Sequence, residues 1–158
     1  MQEAHSMKID VVSIAKPEKD CYSQLCDHFI KMSKRYAQLE ARDLFTAKVT
    51  KAQENGPASA QKIYAELFGP WMERGYTVAL DPRGEQMVSE TFAQLFVNHS
   101  RTTFFIGGAY GHSKEFLQSC DRVVSLSKLT MSHKIAKVVL FEQIYRGLTI
   151  LEGHPYHK

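Results

Sequence analysis

The sequence is poor in the features that mark secreted, membrane-spanning and metal-binding proteins. It has no run of about 18 apolar residues and no apolar segment after a basic start, so we predict neither a membrane span nor a secretory signal. Its three cysteines, Cys21, Cys26 and Cys120, match neither a disulfide framework nor a C-x-x-C metal knuckle. We therefore expect a cytoplasmic protein with reduced, structural cysteines, no bound metal and no membrane partner.

The common nucleotide-binding motifs are missing as well. No G-x-x-x-x-G-K-[ST] phosphate loop occurs in the chain. The glycines of residues 106–111 (IGGAYG) form G-G-x-x-G late in the chain, whereas a dinucleotide fingerprint needs G-x-G-x-x-G at an early strand. These glycines are suited either to a tight turn or to a loop that binds a ligand at the carboxyl end of a strand.

The chain contains enough apolar residues for one globular domain. It has 158 residues, of which 44% are hydrophobic and 23% charged. Strands are predicted at residues 9–15, 44–49, 76–80, 102–106 and 123–126, and helices at residues 17–38, 59–73 and 132–148, with another capped by Ser89. Residues 50–59 are predicted to be a mobile connection, and residues 81–84 (DPRG) a turn. This alternation predicts an α/β fold with a mainly parallel sheet flanked by helices.

The last predicted helix carries more apolar residues than one core-facing stripe needs. They are Ile135, Val138, Val139, Leu140, Phe141, Ile144 and Leu148. The helix therefore lies either in the middle of the domain or against a second subunit. Glu142 and Arg146 interrupt this surface and should be paired with other groups or line a site, because a buried charge without a partner is costly.

Most of the basic excess lies near this helix. The net charge is +3 with histidine neutral, and residues 122–146 contain five basic residues but one acid, Glu142. The basic residues are Arg122, Lys128, Lys134, Lys137 and Arg146. Charge alone favours a solvated helix face over a nucleic-acid contact, although both stay open.

Five blocks of the sequence resemble one family closely. In chain order they are LDPRGEQMVSETFA, FFIGGAYG, SLSKLTMSH, VLFEQIYR and the terminal HPYHK. Their order and spacing resemble the bacterial large-subunit (23S) ribosomal RNA methyltransferases that modify N3 of a pseudouridine, which are members of the SPOUT (trefoil-knotted) superfamily. Since the resemblance begins at Met7, residues 7–158 are expected to form one SPOUT domain. Residues 1–6 (MQEAHS) are expected to be a natural extension or a remnant of cloning.

The resemblance implies a knot, an assembly and a cofactor. The C-terminal segment would thread through a loop, and the protein would be a homodimer packed through the knot region. S-adenosylmethionine would bind in the knot. The residues expected to contact it are Leu80, Gly107, Gly108, Leu126, Ser127, Lys128, Leu129, Thr130 and Met131.

The resemblance also implies which residues serve methyl transfer to ribosomal RNA, with the assembled ribosome as substrate. The N3–H of the target must lose its proton as N3 attacks the methyl group. Arg146 would stabilise the substrate or its anion, and Tyr156 and His157 would position the substrate, with His157 as a proton acceptor. His133 and His154 would bind the substrate. The His-x-x-His spacing of the tail has no third ligand in view, so no metal is predicted.

Three positions depart from the family pattern. Tyr110 stands where an acid or asparagine is common, Ser132 where proline precedes the histidine, and Gly147 where alanine follows the arginine. We expect the Ser132 side chain to cap the last helix in place of proline. A tyrosine at position 110 is suited to stacking on a nucleobase.

Two other interpretations stay open on the residues alone. A nucleotide-binding α/β protein would explain the fold and the glycines, but it would leave EQIYR and HPYHK without a role. A non-catalytic RNA-binding or ribosome-associated protein would explain the basic cluster alone. The methyltransferase hypothesis is favoured because it accounts for the glycines, the last helix, the basic cluster and the tail together.

Overall fold

The computed structural model, which describes residues 7–158, contains one sheet of five strands. They are β1 (Lys8–Ile14), β2 (Gln38–Leu44), β3 (Tyr76–Glu85), β4 (Arg101–Ile106) and β5 (Arg122–Val124). Their order in the sheet is β2-β1-β4-β3-β5, and every neighbouring pair is parallel. The predicted parallel α/β fold is confirmed. The threading of a knot stays a prediction, and the expectation for residues 1–6 falls outside the described part of the chain.

Helices cover both faces of the sheet. They are α1 (Cys21–Ser33), α2 (Ala47–Glu54), α3 (Pro57–Met72), α4 (Ser89–Ala93), α5 (Lys114–Ser119) and α6 (His133–Leu151), and α4 continues into a 3₁₀ turn at Gln94–Phe96. One apolar cluster joins α1, α4 and α6 to the sheet, and a second joins α2, α3 and α5 to the opposite face. Because helices bury both faces of the sheet, nearly all side chains of the central strands β1 and β4 are buried, and both strands are rich in apolar residues.

The second strand lies earlier than predicted. The prediction of a strand at residues 44–49 is wrong, because β2 is the polar segment QLEARDL, which pairs with β1 in register from Gln38 to Leu44. It is an edge strand with most side chains at least partly exposed. An edge strand needs no apolar run. The apolar residues that suggested a strand belong to the exit from β2 and to the first turns of α2.

The segment at residues 50–59 is mostly helical rather than mobile. α2 ends at Glu54 and α3 begins at Pro57. Gly56 between them has φ of +99°, a conformation that glycine adopts without strain, and Pro57 occupies the first turn of α3. The turn signals of this segment were real, but they span only the short link between two helices.

Strand β3 continues through the predicted turn at residues 81–84. It extends to Glu85 because β5 lies beside it, and the Glu85 carbonyl accepts a hydrogen bond from the Ser125 N–H at 2.9 Å. A Cβ atom on Gly84 would lie 2.7 Å from the backbone of Val124. Glycine at this position therefore permits the close approach of two strands and does not mark a turn.

The short strand β5 is also fixed by side chains. The Asp121 carboxylate accepts hydrogen bonds from the Thr77 N–H at 2.8 Å and from the Thr77 hydroxyl at 3.1 Å, and that hydroxyl accepts from the Asp121 N–H at 2.9 Å. Thr77 is buried in β3. The start of β5 is thus tied to β3 by side-chain bonds as well as by the sheet.

Several helix boundaries differ from the predictions, and α1 in particular ends at Ser33 and not at residue 38, where β2 begins. α1 begins at Cys21 and not near residue 17, because the Asp20 carboxylate accepts a hydrogen bond from the Ser23 N–H at 2.9 Å and caps the helix. Ser89 is not the cap of α4. It lies inside the first turn and its hydroxyl donates to Gln143 of α6 at 2.7 Å, so it joins two helices instead.

The long C-terminal helix α6 begins where the sequence predicts. The Ser132 hydroxyl accepts a hydrogen bond from the Ile135 N–H at 3.3 Å, so serine replaces proline as the start signal. α6 packs between α1 and α4, with Leu140, Phe141 and Ile144 fully buried in the first apolar cluster. Among residues 7–158, no helix is long and apolar enough to cross a membrane.

The connections open two crevices at one edge of the sheet. α1 follows β1 and α4 follows β3 on one face, whereas α5 follows β4 on the other face. After β4 the chain therefore crosses to one face of the sheet, whereas after the neighbouring strands β1 and β3 it crosses to the other face. In open α/β sheets, ligands bind in such crevices beyond the carboxyl ends of the strands.

We expect Gly147→Ala to destabilise the fold by about 1–3 kcal/mol, which exceeds the gain in helix propensity. A Cβ atom at this position would lie 2.8 Å from Cε2 of the fully buried Phe96 and 3.3 Å from Cα of Ala93. Chemical denaturation measures the free energy of unfolding. The double variant with Phe96→Leu should recover part of the loss, and simple additivity of the two changes would contradict the contact.

Candidate functional site

A cavity of about 290 Å³ lies beyond the carboxyl ends of β3, β4 and β5, in the crevice between β4 and β3. We call it the first cavity. Its wall includes all the residues predicted to contact the cofactor except Lys128, together with His133 at the start of α6. Those residues are Leu80, Gly107, Gly108, Leu126, Ser127, Leu129, Thr130 and Met131.

The glycine loop after β4 is held against α3 without room for a side chain. A Cβ atom on Gly108 would lie 2.5 Å from Cζ and 2.6 Å from the hydroxyl oxygen of Tyr64, which is 1% exposed and donates a hydrogen bond to Gln53. A Cβ atom on Gly107 would lie 2.9 Å from the backbone of Gly111. The two glycines are therefore needed to bring this backbone to the edge of the cavity.

The rest of the loop is anchored through its carbonyl groups. Gln61 of α3 donates from Nε2 to the Tyr110 carbonyl at 2.9 Å. The Tyr110 ring is 41% exposed, and its hydroxyl lies 3.4 Å from the Gln53 carbonyl. Tyr110 thus packs along the outside of the loop and leaves an aromatic surface accessible beside the first cavity.

An ion pair joins the end of β3 to the end of the glycine loop. The Arg83 guanidinium donates to both carboxylate oxygens of the buried Asp81, at 2.8 and 2.9 Å, and to the His112 carbonyl at 2.9 Å. Burial raises the pKa of the Asp81 carboxyl, but the bonds from Arg83 outweigh it, so the pKa lies below its usual value. Asp81 is therefore ionised, and the two walls of the first cavity are tied together.

His112 forms part of the wall of the first cavity and is 3% exposed. Its Nε2 lies 3.2 Å from the Phe105 carbonyl, and its ring stacks on Phe116 with centroids 5.0 Å apart. Burial lowers the pKa of His112, and this outweighs the opposing effects of the Phe105 carbonyl and the Asp81 carboxylate. The ring is neutral at pH 7 and donates from Nε2 to the carbonyl.

Hydroxyl groups shape the loop that follows β5. The Ser125 hydroxyl donates to the Ser127 carbonyl at 3.0 Å, and the Ser127 hydroxyl accepts from the Leu129 N–H at 2.9 Å. Such local bonds hold a short backbone turn that is neither helix nor strand. Leu129 is 78% exposed although it lines the first cavity. This loop therefore presents backbone and apolar groups to whatever the cavity binds.

The residues predicted to be catalytic form a separate cluster, which we call the tail network. Arg146 donates from Nη2 to Glu142 at 2.8 Å, and the Tyr156 hydroxyl donates to the same carboxylate oxygen at 2.7 Å. Nη1 of Arg146 lies 3.0 Å from Nδ1 of His157, whose Nε2 lies 3.2 Å from Glu90. Since arginine is always a donor, Nδ1 accepts and Nε2 carries the proton.

The protonation of the tail network follows from these bonds. Burial raises the pKa of Glu142, but the bonds from Arg146 and Tyr156 outweigh burial and place the pKa below its usual value. Burial and the bond to Glu142 both raise the pKa of Tyr156. Tyr156 is therefore a neutral donor at pH 7 and not a base. The predicted need of Glu142 and Arg146 for partners is confirmed.

The tail network does not lie at the first cavity of its own chain. None of its members lines that cavity, and Arg146 lies about 20 Å along the axis of α6 from His133, which does. His154 is exposed, and its Nδ1 accepts from the Tyr156 N–H at 3.2 Å, so its ring shapes the tail. The fold brings Arg146, Tyr156 and His157 together but keeps them apart from the residues predicted to contact the cofactor.

Most of the basic cluster is neutralised within the chain. Ion pairs join Arg122 to Glu85, Lys134 to Glu18 and Asp20, Lys137 to Asp43, and Arg146 to Glu142. Within residues 7–158, Lys128 alone of the five makes no ion pair. It is exposed on the loop after β5, where it is available to an anionic partner.

Several wall and support residues were missed by sequence reasoning. Asp81 and His112 line the first cavity, and Tyr64, Gln53 and Gln61 hold the glycine loop from behind. The position of Asp81 directly after a predicted strand could have identified it, because ligands bind at the carboxyl ends of such strands. The three residues that support the loop had no such signal. Gln53 lies in the segment that the sequence presents as a mobile connection, and nothing in the predicted helix at residues 59–73 shows that Gln61 and Tyr64 contact a loop more than 40 residues away.

Comparisons with known proteins agree on one family. The profile described as "Predicted SPOUT methyltransferase" matches residues 7–157. The chain is 46% identical over 152 residues to the ribosomal RNA large subunit methyltransferase H of a Nitratiruptor species, covering 96% of this chain and 99% of that protein. It is 48% identical over 151 residues to the protein of the same name from Campylobacter hominis, covering 96% and 99%.

A solved structure supports the fold alone. A candidate RNA methyltransferase from Bacillus anthracis superposes with a TM-score of 0.52 at 14% identity, over 89% of this chain and 94% of that one. At such low identity the likeness extends to the architecture and not to the substrate.

The first cavity fits S-adenosylmethionine, the methyl donor of SPOUT methyltransferases. Its wall contains the carboxylate of Asp81 and neither lysine nor arginine, so it has no cation for the phosphates of ATP or NAD and does not repel a sulfonium ion. The glycine loop brings its backbone to the cavity wall, an approach that a Cβ atom on Gly107 or Gly108 would block. Leu80, Ile106 and Leu126 supply apolar contacts for an adenine ring.

Gly108→Ala should weaken binding of S-adenosylhomocysteine by about tenfold or more, because the new methyl group must displace either Tyr64 or the loop backbone. Isothermal titration measures the affinity. Thermal unfolding of the ligand-free variant is the control, since it separates a local shift of the loop from loss of the fold. Unchanged affinity would show that the loop does not set the cavity wall.

The free energy of unfolding should fall as the pH drops below about 6.5, the usual pKa of histidine. Since burial lowers the pKa of His112 in the folded state, the unfolded chain takes up the proton first. The stability is fully present above the unfolded pKa and is lost toward lower pH. His112→Gln, which keeps a donor near the Phe105 carbonyl, should flatten this slope. His28→Gln, at an exposed ring, should keep the wild-type slope.

Proposed function

Because the chain belongs to the SPOUT methyltransferase family, we propose that it transfers a methyl group from S-adenosylmethionine to large-subunit ribosomal RNA, at N3 of a pseudouridine. The observation that carries the proposal is the agreement between the first cavity and the near full-length relatives named ribosomal RNA large subunit methyltransferase H. The assembled ribosome is the substrate, and the enzyme works in the cytoplasm.

The first cavity holds the cofactor. S-adenosylmethionine supplies an electrophilic methyl group on a sulfonium sulfur when it is bound. The glycine loop and the loop after β5 bind its polar groups through their backbones, and Asp81 with Arg83 keeps the two walls at a fixed separation. Residues 7–158 therefore form one methyltransferase domain in which rigid strand ends position the donor.

The tail network handles the proton and the charge of the substrate. The N3–H of the target base must lose its proton, and negative charge then spreads onto the neighbouring carbonyl oxygens. Arg146 stabilises that charge and Tyr156 positions the base as a neutral donor. His157 accepts the proton at Nδ1, which its bond to Arg146 keeps unprotonated. When Arg146 turns toward a carbonyl oxygen of the neutral base, Nδ1 of His157 becomes free to take the N3 proton, and Arg146 stabilises the negative charge that this transfer leaves on the base.

These two parts of the site come from different protomers of a homodimer. Within one chain, about 20 Å of α6 separates His133 from Arg146, too far for both to contact one nucleotide. The outer face of α6 supports a second copy, because Ile135 is 43% exposed and Val139 and Ile150 are partly exposed on the same side as Arg146. Val88, next to α4, is 63% exposed. A second protomer covering this face would place its own cavity beside the tail network.

A heterodimer tests this arrangement. One protomer carries Gly108→Ala and the other Arg146→Ala, and two different affinity tags allow the mixed species to be isolated. It should show about half of the wild-type methyl transfer, since one of its two sites has both parts intact. With S-adenosylmethionine kept below its dissociation constant, each homodimeric variant should retain about a tenth of the wild-type activity or less. An inactive heterodimer would mean that each site is built from one chain.

The decisive experiment is the transfer of labelled methyl from S-adenosylmethionine to ribosomes from a strain that lacks the modification, followed by mapping of the modified base. Arg146→Ala should lower the rate while leaving the affinity for S-adenosylhomocysteine unchanged. A chain that NAD or ATP stabilises against thermal unfolding, but S-adenosylhomocysteine does not, would instead be a nucleotide-binding protein. Cofactor binding without any transfer to ribosomes would favour the non-catalytic alternative.

A further inference from the structure

A second cavity lies beside the first, in the crevice between β1 and β4. It measures about 70 Å³ and is bounded by the ends of β1, β2 and β4 and by the first turns of α1 and α6. Ile106 and His133 line both cavities. The second cavity therefore occupies the other crevice that the divergent connections of β4 create, where open α/β sheets bind ligands.

A buried hydroxyl in the wall of the second cavity lacks a partner. Ser13 is 2% exposed, and its Oγ makes no hydrogen bond with any of residues 7–158. Its side chain lies on the same face of β1 as Ile9 and Val11, the face covered by α1 and α6. Buried polar groups are nearly always hydrogen-bonded, so an unpaired hydroxyl in a cavity wall points to a group that enters the cavity.

The charges around the second cavity cancel. The ionised groups of its wall are Lys16, Lys134 and Lys137 against Glu18, Asp20 and Asp43. Lys134 lies 2.7 Å from Glu18 and also pairs with Asp20, and Lys137 pairs with Asp43. Burial raises the pKa of the Cys26 thiol to about 11, so this part of the wall is neutral. A phosphate would meet three carboxylates here, and a neutral polar ligand suits the cavity better.

The remaining wall suits part of one flat ring. Ile14 and Ile106 are apolar, and the Tyr22 ring lies on the α1 side. A cavity of about 150 Å³ is known to admit benzene, so one of half that volume accepts only the edge of a single ring. The cavity therefore excludes a two-ring purine from deep insertion.

We propose that the second cavity receives one polar edge of the target pyrimidine base and that the Ser13 hydroxyl hydrogen-bonds this edge. The inference rests on the proposed function and adds a base-binding residue to it. A hydroxyl both donates and accepts, so it meets either a ring carbonyl or a ring N–H. Because Ile106 and His133 form the shared wall, a base seated here has its ring beside the methyl donor in the first cavity.

Ser13→Ala tests the role of the hydroxyl and Ser33→Ala is its matched control. Ser33 is also fully buried with an Oγ that has no partner among the described residues, but it lines neither cavity. Ser13→Ala should lower kcat/KM for unmodified ribosomes by about tenfold, mainly through KM, while the affinity for S-adenosylhomocysteine and the melting temperature stay unchanged. Ser33→Ala should match the wild type. Wild-type kcat/KM in Ser13→Ala would overturn the proposal.

A binding measurement separates this inference from the proposed function. In amide NMR spectra of the protein with S-adenosylhomocysteine, millimolar pseudouridine should shift the signals of Ser13, Tyr22 and Cys26, and Ser13→Ala should lose these shifts. If the wild type methylates no ribosomes but pseudouridine shifts these signals, the proposed function is wrong, whereas the assignment of the second cavity as a binding site for the base is supported. Shifts caused by inorganic phosphate and not by pseudouridine would instead identify an anion site and overturn the proposal.

Discussion

The rest of the structure depends on which face of the sheet the chain crosses to after β4. All five strands are parallel, so their carboxyl ends meet at one edge of the sheet. The helix after β4 covers the opposite face from the helices after β1 and β3. Two neighbouring crevices follow from this one reversal, and Ile106 at the end of β4 stands between them. The arrangement allows a methyl donor and an acceptor to be held side by side without a separate domain.

Helix α6 connects the parts of the proposed site. Its first turn borders both cavities through His133, its middle is the core of one face of the domain, and its last turns carry Arg146 and support the tail. A catalytic group placed on a long, well-packed helix is positioned more rigidly than one on a free tail. Because α6 is this long, residues at its two ends cannot both contact one nucleotide. The proposed chemistry therefore uses residues of a second protomer.

The sequence predicts the parts of this fold that have a strong local signal. The apolar runs of β1 and β4 and the start of α6 at Ser132 were recognisable, because burial on both faces and helix capping leave regular patterns. The polar edge strand β2 was misplaced because its exposed side chains carry no apolar pattern. The bond from Arg83 to the His112 carbonyl and the contact of Tyr64 with Gly108 join residues far apart in the chain, so spacing does not reveal them.

The shortness of β5 affects the local stability of the loop that follows it. Only three residues form this strand, and side-chain bonds between Asp121 and Thr77 fix its start. The loop that follows β5 has few buried contacts of its own, as the 78% exposure of Leu129 shows. Segments of this kind open locally at a low free energy, far below that of global unfolding. In the proposed function, part of the intrinsic affinity for the donor is therefore used to order this loop.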